Sequence, residues 1–238
     1  MLWYKAWLET RSRFLISLFG ILLISAYWLV HEDGIASPSQ PTSWYYFVLQ
    51  KTHATLSELW VLAVSLLMMG GLVRETAVGA SDFTLALPVS RSRLMRARIG
   101  IGFLQAMTLA VIPWVVIFLL ASATGKATSI ENAAFHLLLL AGGGSVFVAW
   151  ALLVSTVVAG EYTAPAVCLG AVLVVAIAMG EKPLSEWSPA SLLIGEQYLN
   201  PTTMMLAGPV PWLRLIVTLT VAIVLTGAAI KAVQMREF

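Results

Sequence analysis

The sequence predicts an all-α integral membrane protein with six transmembrane helices, an N-terminal amphipathic interfacial helix and short broken extracellular helices before the last span. Three observations predict it. Of 238 residues, 59% are hydrophobic and 11% charged, whereas an ordinary soluble domain carries about 25% charged residues. A soluble chain of this length would need a polar coat over its core, and these charges are too few and too clustered to supply one. Six apolar segments approach the roughly 20 residues that a helix needs to cross hydrocarbon, and the basic residues gather at alternate ends of those segments.

The chain reads as one transmembrane domain over 1–238. Residues 1–13 place Trp3, Tyr4, Trp7 and Leu8 at helical spacing, with Lys5, Glu9 and Arg11 turned elsewhere. That pattern describes a helix lying along the inner leaflet. Lys5, Arg11 and Arg13 before an apolar run also suit a signal peptide, but no small-x-small cleavage site follows, so a retained first span is expected. The spans are placed at Phe14–Val30, Thr55–Val73, Ile99–Ala121, Ala133–Val158, Thr163–Met179 and Trp212–Val233. The first two fall in 14–73, spans three to five in 99–179, and the sixth with its tail in 212–238.

Between the last two spans, 180–211 carries Pro183, Pro189, Pro201, Pro209 and Pro211, which rule out one continuous helix. Its apolar clusters, Leu192–Ile194 and Met204–Leu206, suggest short helices at the interface. In the fourth span Gly142, Gly143 and Gly144 mark a close helix contact, within the chain or across a dimer, as Gly100 and Gly102 do in the third.

Six spans put both termini on one side. That side collects ten basic residues, Lys5, Arg11, Arg13, Arg74, Arg91, Arg93, Arg96, Arg98, Lys231 and Arg236, against four on the other, Lys51, Lys126, Lys182 and Arg214. The excess of positive charge assigns it to the cytoplasm, with the chain in the cell inner (plasma) membrane. Trp28, Trp44, Tyr45, Tyr46, Trp60, Trp187, Tyr198 and Trp212 lie near the opposite ends, as an interfacial aromatic belt requires.

Catalytic groupings are not visible. His31, His53 and His136 have no second ligand at metal spacing and read as interfacial or packing residues. Gly79-Ala80-Ser81-Asp82-Phe83 lacks the closing glycine of a nucleophile elbow, and Gly125-Lys126 lacks the rest of a phosphate loop. Cys168, the single cysteine, lies in an apolar run and reads as a small buried hydrophobe. The span centres carry no charge that would hold a coupling proton. Gln105, Thr108, Ser145, Ser155, Thr156 and Thr218 remain as polar groups that line a translocation path or pack helices together.

The stretch 74–98 is the most informative. Thr76–Leu87 is long enough for two or three helical turns, Pro88 disfavours helix at Leu87, and a second helix begins near Ser90. Arg91, Arg93, Arg96 and Arg98 then suit the inner headgroups. The order Glu75, Gly79, Leu85, Leu87, Pro88, Ser90, Arg91 after the second span resembles the permease subunits of ABC type-2 transporters. The resemblance extends to the flat N-terminal helix, six spans, the tight turn between the fourth and fifth, and the broken outer segment.

The resemblance implies that Thr76–Leu87 is a coupling helix docking on a separate cytoplasmic ATPase. Glu75, Gly79, Leu87, Pro88 and Arg91 would frame it, and Asp82 and Phe83 would form the docking face. It implies a pair of permease chains, identical or related, with ATP and Mg bound by the partner subunit and no cofactor in this chain. By resemblance, export of a lipid-like, drug-like or glycan-linked substrate is favoured. The rival readings are a stand-alone secondary carrier and a non-transporting scaffold or assembly factor; nucleic-acid binding is disfavoured by a net charge of +2 without a basic stripe.

Overall fold

The fold is helical throughout its described parts. The computed structural model describes residues 2–30, 53–69, 91–123, 130–158, 163–178, 187–198 and 209–235. These form α1 (Leu2–Val30), α2 (His53–Met68), α3 (Arg91–Ala123), α4 (Ile130–Val157), α5 (Thr163–Ala178), α6 (Pro189–Ile194), a single 3-10 turn (Glu196–Tyr198) and α7 (Trp212–Met235). Stretches of α1, α3, α4 and α7 are long and apolar enough to cross a membrane, and the described α2 and α5, at 16 residues each, are shorter. Sixteen residues span about 24 Å at 1.5 Å per residue, less than the roughly 30 Å hydrocarbon core.

The bundle is organised around α4, which packs against α7, α2, α6, α5 and α3, while α1 lies on α3 and α2. Three consecutive glycines make this possible because each faces a different partner. A Cβ on Gly142 would strike Leu215 of α7, one on Gly143 would sit 3.3 Å from the Leu193 nitrogen of α6, and one on Gly144 would come 2.5 Å from the Trp60 ring of α2. The contacts made by these glycines therefore lie within the chain. The main core joins Val64, Leu67 and Met68 of α2, Leu109 and Ile117 of α3, Leu140 and Val154 of α4, and Cys168 of α5.

The outer faces suit a lipid solvent. Ile16 is 73% exposed, Phe19 64%, Leu173 61%, Ile223 71% and Val224 65%, an apolar surface that water would not favour but acyl chains accept.

The N-terminal region departs from the expected division at residue 13. A separate interfacial helix over 1–13 is not present: α1 runs unbroken from Leu2 to Val30. Its first turns bury Ala6 and Thr10, while Trp3, Tyr4 and Leu8 are exposed. The sequence lacks a proline or glycine near Arg13 to break the helix, and hydrogen bonding to α2 and α3 holds its N-terminal half in place. At the other end, α6 has Pro189 at its first position and closes on Gly195, whose φ of 70° is the left-handed geometry of a helix C-cap.

Candidate functional site

Two constellations stand at opposite ends of the α2 axis. The first gathers at its C-terminus, where the chain leaves α2 toward 74–90. A helix leaves its last carbonyls without intrahelical partners, and their dipole favours positive charge. Arg13 of α1 donates to the carbonyls of Leu66, at 3.2 Å, and Met69. From α3, Arg98, 9% exposed, donates to the Met68 carbonyl at 3.5 Å. Arg98 also lies 4.0 Å from Glu9 of α1, which pairs with Lys5 at 3.6 Å. Seven residues further along α3, Gln105 donates to Thr10 at 2.8 Å. Three helices are thus tied by polar contacts, and the end of the Met68 side chain packs on Gly102.

The coupling residues expected from sequence, Glu75, Gly79, Asp82, Phe83, Leu87 and Pro88, lie outside the described residues. Arg91 is the first described residue of α3, and the expected helix start near Ser90 lies outside the described residues. The polar residues proposed for a path separate into two kinds. Thr108, Ser145, Ser155, Thr156 and Thr218 return their hydroxyl protons to carbonyls three or four residues back on their own helices. Such bonds satisfy a hydroxyl within a membrane helix and free it from needing a partner. Gln105 alone among the six reaches another helix, through Thr10, and its carbonyl oxygen is buried with no hydrogen-bond partner among the described residues.

The second constellation was not anticipated. His53, the first residue of α2, and His136, in the second turn of α4, have ring centroids 4.1 Å apart. Trp114 of α3 stacks on His136 at 5.6 Å with an interplanar angle of 10°. His53 Nε2 is 3.1 Å from the Leu193 carbonyl and donates to it. His136 is fully buried, and both of its ring nitrogens lack partners among the described residues. Pro113 inside α3, directly before Trp114, removes the backbone donor that would reach the residue 109 carbonyl. The histidines were legible singly but not as a pair, since no spacing rule joins residues on different helices. Among the described residues no three metal-type ligands come together, and the two imidazoles stand there as a buried pair.

Beside it, Arg214 of α7 donates to the Tyr198 hydroxyl at 2.7 Å and lies 5.8 Å from the ring centroids of both Tyr198 and Trp187. Tyr198 in turn meets Phe135 edge-on, with centroids 6.3 Å apart. This cation–π clamp fastens the segment 187–198 to the N-terminal ends of α4 and α7.

Compared with protein-family models and with curated proteins, the chain matches none.

Proposed function

We propose that this chain is the membrane-spanning, non-catalytic permease subunit of an ATP-driven transporter of the ABC type-2 kind, acting as an exporter. Two permease chains, identical or related, pair with two separate nucleotide-binding subunits that hold ATP and Mg. Six spans place both termini and the segment 74–98 in the cytoplasm. The observation that carries the reading is the order Glu75, Gly79, Leu85, Leu87, Pro88, Ser90, Arg91 between the second and third spans. Further support comes from the ties at the C-terminus of α2. A push delivered to 74–90 would act on α1, α2 and α3 together, because Arg13 and Arg98 fasten the last turn of α2 to both neighbours.

The test pairs the chain with an ATPase encoded in a neighbouring reading frame. The isolated chain is expected to hydrolyse no ATP, and the complex to hydrolyse it. Changing Asp82 and Phe83 to alanine should lower turnover and weaken co-purification, by about tenfold if the two side chains form the centre of the docking face. An unaltered complex and rate would remove them from that face.

One observation favours a second reading, a stand-alone proton-linked carrier. Ionisable residues within a membrane bundle commonly mark proton paths, and the His53–His136 pair is buried between helices. Reconstitution of the single chain in liposomes separates the two. Solute movement driven by a proton gradient without any ATPase would establish the carrier and end the permease proposal.

A further inference from the structure

A groove of about 660 Å³ runs between α2, α4, α5 and α6, within the roughly 300–1,000 Å³ range of small-molecule sites. Leu62, Phe147, Val172 and Leu193 are among its apolar walls. Leu62 and Leu173, 44% and 61% exposed, stand at its rim, so the groove opens on the apolar surface of the bundle. Two of its residues do not fit a passive lipid-filled crevice. Glu58 lines the groove and is exposed, with no hydrogen bond or ion pair among the described residues. It stands five residues into α2, about 7.5 Å along the axis from His53, and brings a carboxylate to an otherwise apolar groove. Trp150 also lines the groove, and its indole N–H is buried with no partner among the described residues.

We infer that this groove binds a membrane-dissolved, single-chain amphiphile bearing a cationic amine. Its hydrocarbon chain lies along the walls formed by α4 and α5, and its ammonium group pairs with Glu58. The apolar walls alone give no selectivity, because an acyl chain of any bilayer lipid fills them equally well. Selectivity comes from the carboxylate, whose attraction for an ammonium group is much stronger at low dielectric than in water. An anionic amphiphile of the same length meets repulsion at the same point. The indole N–H of Trp150 adds a donor for a hydroxyl or carbonyl oxygen near the head of the molecule. The inference concerns equilibrium binding to this chain alone and stands apart from ATP-driven transport, so either can fail without the other.

The experiment uses the full chain in nanodiscs of phosphatidylcholine and phosphatidylglycerol, titrated with a long-chain alkylamine brominated at its tail. Bromine quenches nearby indoles, and Trp150 supplies the reporter. Saturable quenching is expected, with a smaller amplitude in Trp150→Phe. Glu58→Gln should weaken apparent affinity about tenfold, the order expected for one charge-assisted contact, and Ala171→Phe, which fills the groove, should abolish saturation. A brominated fatty acid of equal length should not saturate. Equal affinity for amine and fatty acid, or no effect of either Glu58→Gln or Ala171→Phe, would overturn the assignment. Displacement by phosphatidylethanolamine at ordinary membrane content would also overturn it, by making the occupant a bulk lipid.

Discussion

Gly144 and Gly170 lie on neighbouring helices and are expected to respond differently to the same change. A Cβ at Gly144 meets the Trp60 ring at 2.5 and 2.7 Å, whereas one at Gly170 meets nothing within 4 Å. Trp60 cannot simply yield, because it is 2% exposed and its indole N–H donates to the Ala106 carbonyl at 2.8 Å. Gly144→Ala should therefore destabilise the bundle by about 1–3 kcal/mol through overpacking, read as a lower melting temperature in detergent, with Gly170→Ala near neutral. Equal shifts would show that Trp60 has room to move. The sequence marked the three glycines of α4 as contacts, because small residues in a span have few other uses. What it did not contain was the direction each faces, which follows from α4 lying at the centre of the bundle. His136 offers a contrasting case. Both ring nitrogens are buried without partners among the described residues, so replacing the imidazole with an apolar group removes an unsatisfied polar burden. His136→Leu should leave the melting temperature unchanged or raise it, and a clear fall would reveal a bound water or another partner for the ring.

Helix α2 is the element on which the two constellations converge, His53 at its start and the Arg13 and Arg98 contacts at its end. Arg13 and Arg98 reach adjacent carbonyls from different helices, so their effects should not add. Each single change to Met is expected to cost about 1–3 kcal/mol, the range for hydrogen bonds to charged groups and for the neighbours left without them. The double-mutant cycle should give a coupling energy above about 0.5 kcal/mol; strict additivity in thermal unfolding would show that the two arginines act independently. The element pattern was largely legible because apolar length is a strong signal. Expected spans at Ala133–Val158 and Thr163–Met179 became α4 at Ile130–Val157 and α5 at Thr163–Ala178, and the cluster at Leu192 became α6. The N-terminal stretch was less legible. Tryptophans at helical spacing describe a helix equally well whether it lies flat or continues into a span, and only the ties from Arg13 and Thr10 to other helices distinguish the two. Pairings such as His53 with His136 were hidden for the same reason: they depend on how helices pack, and no local periodicity records that.

At the scale of the whole molecule, topology depends on the two short helices. If α2 and α5 both cross, six spans place 31–52 and 74–90 on opposite sides; if α2 does not cross, both segments share a side and the coupling proposal fails. Sixteen residues are marginal for a helix facing lipid on all sides, but α2 buries ten of its sixteen residues, His53, Leu56, Ser57, Trp60, Val61, Ala63, Val64, Ser65, Leu67 and Met68, within the protein. A helix sheathed by its neighbours need not match the hydrocarbon thickness by itself. Cys168, the single cysteine, makes the question accessible. It is 0% exposed, so the native chain should resist a membrane-impermeant maleimide, and a Cys168→Ala background should carry single reporters cleanly. Ser37→Cys is then expected to react in right-side-out vesicles and Ser81→Cys only in inverted ones. Reaction of both in right-side-out vesicles would mean that α2 does not cross, leaving 74–90 without access to a cytoplasmic ATPase.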